Sequence, residues 1–205
     1  MNKLPLLLAA LLVTLVGLST SFAQQGYQVG DKAIDFDLPT VNGERVSLKN
    51  HSDAKGFLVV FSCNTCPYVV AYEDRMIELH NKFAPMGYPL IAINPNDPKI
   101  SPGDSFEKMQ ERAKKKGFPF SYAFDETQEI TRAYGATNTP QVYLLEKSGN
   151  EYIVRYIGAI DNNYQDESAV TKRYVEDAVS ALLTGGTVPE ERTRAIGCTI
   201  KWRKL

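Results

Sequence analysis

The stretch that most constrains this chain is residues 57–67. Five apolar residues, Phe57, Leu58, Val59, Val60 and Phe61, run through Ser62 into Cys63, Asn64, Thr65, Cys66 and Pro67. A short Val- and Phe-rich run without polar interruption has the pattern of a strand buried on both faces. Beyond it Val69, Val70, Met76, Ile77 and Leu79 recur at helical spacing, which predicts a helix over 66–83 and puts both cysteines at the strand-to-helix turn. Free N–H groups and the helix dipole at such a turn stabilise a thiolate, the reactive form of cysteine. Cysteines three residues apart can also close on each other. The pattern predicts a dithiol–disulfide redox centre, with Cys63 as attacking thiol and Cys66 as resolving thiol. Two other uses compete with it. Structural zinc wants four ligands, usually from a second Cys or His pair. Only Cys198, His51 and His80 remain, and His80 lies nearly four helical turns from Cys66, so no metal is expected. A purely structural disulfide is the other use, although so short a loop stabilises little on chain-entropy grounds.

Residues 1–23 hold Lys3, an apolar run over 4–18, and then Ser21 and Ala23 where a signal peptidase reads small residues. The run is short for a membrane span and lacks a stop-transfer flank. A secretory signal cleaved near Ala23 is expected, giving an exported protein, periplasmic or secreted, with no membrane attachment after cleavage. Export would put the thiols where disulfides persist. The remaining length of about 180 residues suits one domain with a sizeable core. A net charge of −1 gives no electrostatic case for nucleic acid or a membrane surface. Lys114, Lys115 and Lys116 follow Glu107 and Glu111 on one helical pattern and fit a solvated helix end.

From residue 30 the chain alternates short apolar pieces with turn signals, and Asn42 with Gly43 predicts a hairpin. After the 66–83 helix come a buried strand at 88–94 and a loop with three prolines over 94–103. Asp104, three residues before Glu107, resembles a capping box and opens a helix ending at Lys116. A strand at 120–124, a short helix to Tyr134, a hairpin of 141–146 with 152–156, and an amphipathic helix over 167–183 complete the pattern. The order predicts an α/β sheet covered on both faces, with the cysteines at the carboxyl end of a buried strand, where open α/β sheets hold their sites.

Residues 30–39 with Asn42 and Gly43, the run Cys63 to Pro67 followed by residues 71–76, Thr139 with Pro140, and Gly197, Cys198 and Trp202 together resemble the thioredoxin superfamily. The likeness is to its peroxiredoxin-like branch (redoxin, of the alkyl hydroperoxide reductase/thiol-specific antioxidant type). It implies a thioredoxin-like fold: a central mixed sheet with helices on both faces, an N-terminal β-hairpin and a strand–helix insertion at 88–116. The domain would span 24–186, with a tail at 187–205 packed on it through Ile200 and Trp202. The resemblance makes Thr139–Pro140 the cis-proline that presents backbone to an incoming peptide, and Gly158 with Ala159 the small pair bordering the groove. Thr139, Pro140, Gly158 and Ala159 are thus the implied substrate-binding residues. The implied activity is that of an extracytoplasmic thiol–disulfide oxidoreductase, without a cofactor. It would act on protein or small-molecule disulfides and thiols with a separate redox partner. A thiol peroxidase and a Cu- or Zn-binding thiol carrier are the alternatives.

Several positions depart from that pattern. Peroxiredoxins carry Pro and Thr or Ser seven and three residues before the reacting cysteine, where Gly56 and Val60 precede Cys63. Thioredoxins carry a buried acid where Phe57 stands and a Trp where Ser62 stands. Glu73 could carry protons for Cys66, but an ordinary exposed helix residue is the expectation. Cys198 is a candidate third thiol: resolving if the tail returns to the cysteines, inert if it is buried elsewhere.

Overall fold

The computed structural model describes residues 26–204, so the expected signal segment lies outside the described residues. Along the chain come three short strands, β1 (Lys32–Ala33), β2 (Leu38–Pro39) and β3 (Arg45–Val46), and then β4 (Gly56–Phe61) and α1 (Pro67–Phe83). They are followed by β5 (Leu90–Asn94), α2 (Phe106–Lys116), β6 (Ser121–Phe124), α3 (Glu129–Tyr134) and β7 (Asn138–Thr139). The last elements are β8 (Gln141–Ser148), β9 (Glu151–Gly158), α4 (Tyr174–Leu183) and β10 (Cys198–Thr199). Six strands form one sheet in the order β1-β9-β8-β4-β5-β6. The pairs β4–β5 and β5–β6 are parallel, and β4–β8, β8–β9 and β1–β9 are antiparallel. The mixed sheet anticipated from the sequence is present.

β4 lies in the middle of this sheet because its side chains satisfy both faces at once. Phe57, Val59 and Phe61 pack with Ile91, Ile93, Tyr134 and the entry-hairpin residues Phe36 and Leu38. Leu58 and Val60 pack on the other face with Tyr72, Met76 and Phe83 of α1, Met109 of α2 and Val179 of α4. None of the five β4 side chains is more than 1% exposed, and burying each is worth about 1.5–3 kcal/mol. Polar substitution there would remove the strand that carries the cysteines. The hairpin of β2 with β3 turns through Gly43 at φ +87, a left-handed conformation glycine adopts at no steric cost.

Three local expectations are corrected. The helix predicted over 167–183 is broken: a single 3-10 turn spans Glu167–Ala169 and α4 starts only at Tyr174. Between them the Asn162 side-chain oxygen accepts from the N–H groups of Thr171 and Lys172, which offers the backbone an alternative to the helix. The start of α2 is capped by Ser105, whose hydroxyl accepts from Lys108 N–H, not by Asp104. Glu73 is not an exposed helix residue but 1% exposed. It accepts two hydrogen bonds of 2.6 Å from Arg112, one from Nε and one from Nη2. That pair joins α1 to α2. Arg112→Ala strands the carboxylate, with only Lys116 Nζ left at 3.7 Å, and is expected to cost about 2–3 kcal/mol. Urea unfolding reads this directly, and a change below about 0.5 kcal/mol would show the pair to be inert.

The tail is docked along its length. Arg192 forms a bridge to Ile157, and Cys198 and Thr199 pair antiparallel with Thr139 and Asn138. The carbonyl of Lys201 accepts from Asp97 N–H and from Gln128 Nε2 at 2.9 Å each, and the Arg132 guanidinium lies 4.4 Å from the Trp202 ring centre. No helix among the described residues is long and apolar enough to cross a membrane.

Candidate active site

Cys63 follows β4 by one residue, Ser62, whose N–H donates to Ile93 O. Cys66 is the N-cap of α1, with φ −73 and ψ 121, and Pro67 begins the helix. Proline suits that position because its missing N–H would have no partner there. No ordinary side-chain hydrogen bond caps the helix and no acidic residue lies in its first turn. Both cysteines stand at the strand-to-helix turn, Cys66 at the N-cap and Cys63 three residues before it. The helix begins at Pro67, one residue after the predicted start, and residues 62–65 are held as a loop by other partners.

The main partner is Asp104. Its side chain is fully buried and accepts from Asn64 N–H at 2.7 Å, Thr65 N–H at 3.2 Å and Thr65 Oγ1 at 3.0 Å. It also accepts from Asn96 Nδ2 at 2.8 Å and Ser101 Oγ at 2.6 Å. Asn64 is held further by donating to Gly103 O and accepting from Tyr122 OH, both at 2.9 Å. Sequence reasoning spent Asp104 on a helix cap and missed this role. A signal existed: β5 runs parallel to β4, so the loops leaving their carboxyl ends lie side by side. A loop rich in Asn and Asp after β5 is therefore adjacent to the cysteines.

The second wall comes from β7. The Thr139–Pro140 peptide bond is cis and Thr139 is fully buried. Cys63 Sγ and Thr139 Oγ1 share a hydrogen bond of 3.3 Å, and Cys66 Sγ, when protonated, donates to Thr139 O at 3.2 Å. Cys63, Cys66 and Val69 form a small buried cluster against which Tyr68 and Cys198 pack. Gly158 and Ala159 lie under the tail. A Cβ on Gly158 would come within 2.1 Å of Thr193 Oγ1, and that hydroxyl accepts from Ala159 N–H at 3.0 Å. Arg192, Thr193 and Gly197 line an open cleft of about 620 Å³ together with Tyr68, Asn138 and Gly158.

The electrostatics separate the two sulfurs. The Cys63 thiol beside it, with lesser help from the Cys198 thiol and the Val69 and Cys198 N–H groups, pushes the Cys66 pKa down to about 5 against the opposing effect of burial. Cys63 is pushed well above the usual thiol range by Cys66, then by burial and the Asp104 charge. The two thiols are tightly coupled, and a charge on either sulfur is stabilised by the proton that the other keeps. Cys198 is raised to about 11 by burial and by Cys66. His80 accepts from Leu90 N–H and His51 packs on Phe57, so neither faces the thiols. No group of three or more His, Cys, Asp or Glu among the described residues is arranged to hold a metal ion.

Comparison with known proteins places the chain by fold and family. An uncharacterized conserved protein from Geobacillus kaustophilus has a solved structure 35% identical to this chain, covering 87% of this chain and 94% of its own, with a TM-score of 0.80. The thiol-disulfide oxidoreductase ResA of Geobacillus kaustophilus (strain HTA426) is 28% identical over 123 residues, or 59% of this chain. The aligned part spans 65% of that relative's length. The thioredoxin domain of a thiol-disulfide oxidoreductase from Bacteroides vulgatus shares the fold at 16% identity, covering 65% of this chain and 91% of its own, with a TM-score of 0.52. The AhpC/TSA family matches residues 29–157. Its match runs from the entry strands through both central cysteines and the cis-proline to the end of the sheet, and this chain, thioredoxin-like in fold, belongs to that family.

Proposed function

We propose that the protein is a thiol–disulfide oxidoreductase that works outside the cytoplasm, with Cys66 as the attacking thiol and Cys63 as the resolving one. The observation that carries this reading is the Cys66 sulfur at the N-cap of α1, beside a second buried thiol. A thiolate so held is populated at neutral pH and leaves readily when attacked. Cys66 attacks a substrate disulfide and forms a mixed disulfide as one substrate thiolate departs. Cys63 then gives up its proton, attacks Cys66 Sγ, and releases the second substrate thiol. The Thr139 hydroxyl donates to the Cys63 sulfur as its charge develops. Thr139, Pro140, Gly158 and Ala159 form the substrate face, reached when the tail yields. Export is supported by the pattern of residues 1–23.

Family membership also supports a thiol peroxidase, in which Cys66 would be oxidised to a sulfenic acid and condense with Cys63. Three residues before Cys66 stands Cys63 itself, where peroxiredoxins carry a hydroxyl, so disulfide exchange is the better-supported reading. The carrier alternative lacks a donor set among the described residues. The test is equilibration of residues 24–205 in glutathione redox buffers, with thiols counted by alkylation. A reversible two-electron transition of the Cys63–Cys66 pair is expected. A value near about −270 mV would assign a reductant and one near about −120 mV an oxidant. Absence of a reversible couple would overturn the reading.

A further inference from the structure

The three thiols differ in access in a way that the two-cysteine scheme does not use. Cys63 and Cys66 are 3% and 2% exposed, and the docked tail covers them. Cys198, on that tail, is partly exposed and packs on the same cluster. Its position is fixed by backbone: Cys198 sits opposite Thr139 in the β10–β7 pair, and the Thr139 carbonyl is within 3.2 Å of Cys66 Sγ. The close approach needs Gly197, where a Cβ would fall 2.1 Å from Thr139 O. A strand edge beside the thiols is thus filled by this chain's own cysteine-bearing segment, in the manner of an added β-strand.

We propose that Cys198 is a third redox-active residue, which carries the disulfide from the buried pair to the surface. The proposal rests on the oxidoreductase reading above. In the oxidised protein the Cys198 thiolate attacks Cys66 Sγ. The Cys63–Cys66 bond breaks, its electron pair goes to Cys63 Sγ and Cys63 takes up the proton, while a Cys66–Cys198 bond forms. An external dithiol then attacks the exposed Cys198 Sγ, and Cys66 leaves as a thiolate. The second thiol of that dithiol displaces Cys198, so the partner departs as a disulfide and all three cysteines are reduced. Two electrons pass from partner to protein, and no other reactant enters. Two features favour this direction. Once Cys66 is in a disulfide it no longer raises Cys198, and in the second step, where the external thiol attacks Cys198, Cys66 departs readily because a low-pKa thiol leaves fastest.

The test maps disulfides by alkylation and peptide mass spectrometry in residues 24–205 oxidised with glutathione disulfide. In wild type both Cys63–Cys66 and Cys66–Cys198 are expected, in a fixed ratio that is reached from either side. Cys63→Ser should form Cys66–Cys198 as its main product, and Gly197→Ala, which forces the tail off Thr139, should lower that linkage by about tenfold by reducing the local thiol concentration. If wild type forms a reversible Cys63–Cys66 couple but neither it nor Cys63→Ser ever shows Cys66–Cys198, the third-thiol role is overturned and the oxidoreductase reading stands. If no reversible couple forms at all, the reading beneath both is overturned. Should Cys63→Ser not fold, the linkage ratio in wild type decides alone.

Discussion

Cys66→Ser is expected to lower disulfide-reducing turnover by about three orders of magnitude or more, while Cys63→Ser attacks once and stalls as a mixed disulfide. The asymmetry follows from the helix start. The Cys66 sulfur has the neighbouring Cys63 thiol, and to a lesser degree the Val69 N–H, to hold its charge, whereas Cys63 faces that charge and the Asp104 carboxylate. Thiolate absorbance near about 240 nm should therefore persist in the wild-type dithiol down to a midpoint near about 5. In Cys63→Ser the midpoint should rise, because the largest contribution holding it down is the Cys63 thiol. Rapid mixing with a chromogenic disulfide, followed by mass analysis of the trapped adduct, separates the roles. If the adduct accumulates in Cys66→Ser and not in Cys63→Ser, the assignment is reversed and Cys63 is the nucleophile.

That assignment shows where sequence reasoning stops. The apolar run of β4, the period of α1 and the hairpin signal at Asn42 and Gly43 are local patterns, and each produced the element it announced. The cysteines at the strand-to-helix turn were legible for the same reason. What shapes the turn between them was not, because it depends on a residue about forty positions away. Asp104 gathers the Asn64 and Thr65 N–H groups and so fixes the loop between the two cysteines. Glu73 was unreadable for a related reason: its partner Arg112 is on another helix, and an acid on an amphipathic pattern looks solvated until that helix is placed. The tail had a different obstacle. The two-residue pairing of Cys198 and Thr199 with β7 has no periodicity to detect, and it forms only because Gly197 lets two backbones meet.

Asp104 is where the fold and the chemistry meet, and its replacement should disturb both in separable ways. Asp104→Ala removes a fully buried acceptor of five hydrogen bonds. Its donors on Asn64, Thr65, Asn96 and Ser101 are left without it, at an expected cost of about 3–5 kcal/mol in urea unfolding. Asp104→Asn keeps the shape but turns an NH2 group toward donors, so about 1–3 kcal/mol is expected. Its informative effect is on Cys63. The Asp104 charge is one of the causes that raise the Cys63 thiol, so neutralising it must let Cys63 ionise at lower pH. The sign carries into stability. A thiol whose pKa is raised on folding contributes stability that is fully present below its unfolded value and is lost as pH rises through the folded one. In Asp104→Asn that alkaline loss should still begin at the unfolded value but end at a lower pH and be smaller than in wild type, and the second step of the 240 nm titration should move down with the folded value. If stability falls while the second thiolate step stays where it is in wild type, Asp104 holds the loop and does not tune the thiols. If the step moves down as stability falls, one carboxylate both shapes the turn between the cysteines and keeps the proton on Cys63 until Cys66 has reacted.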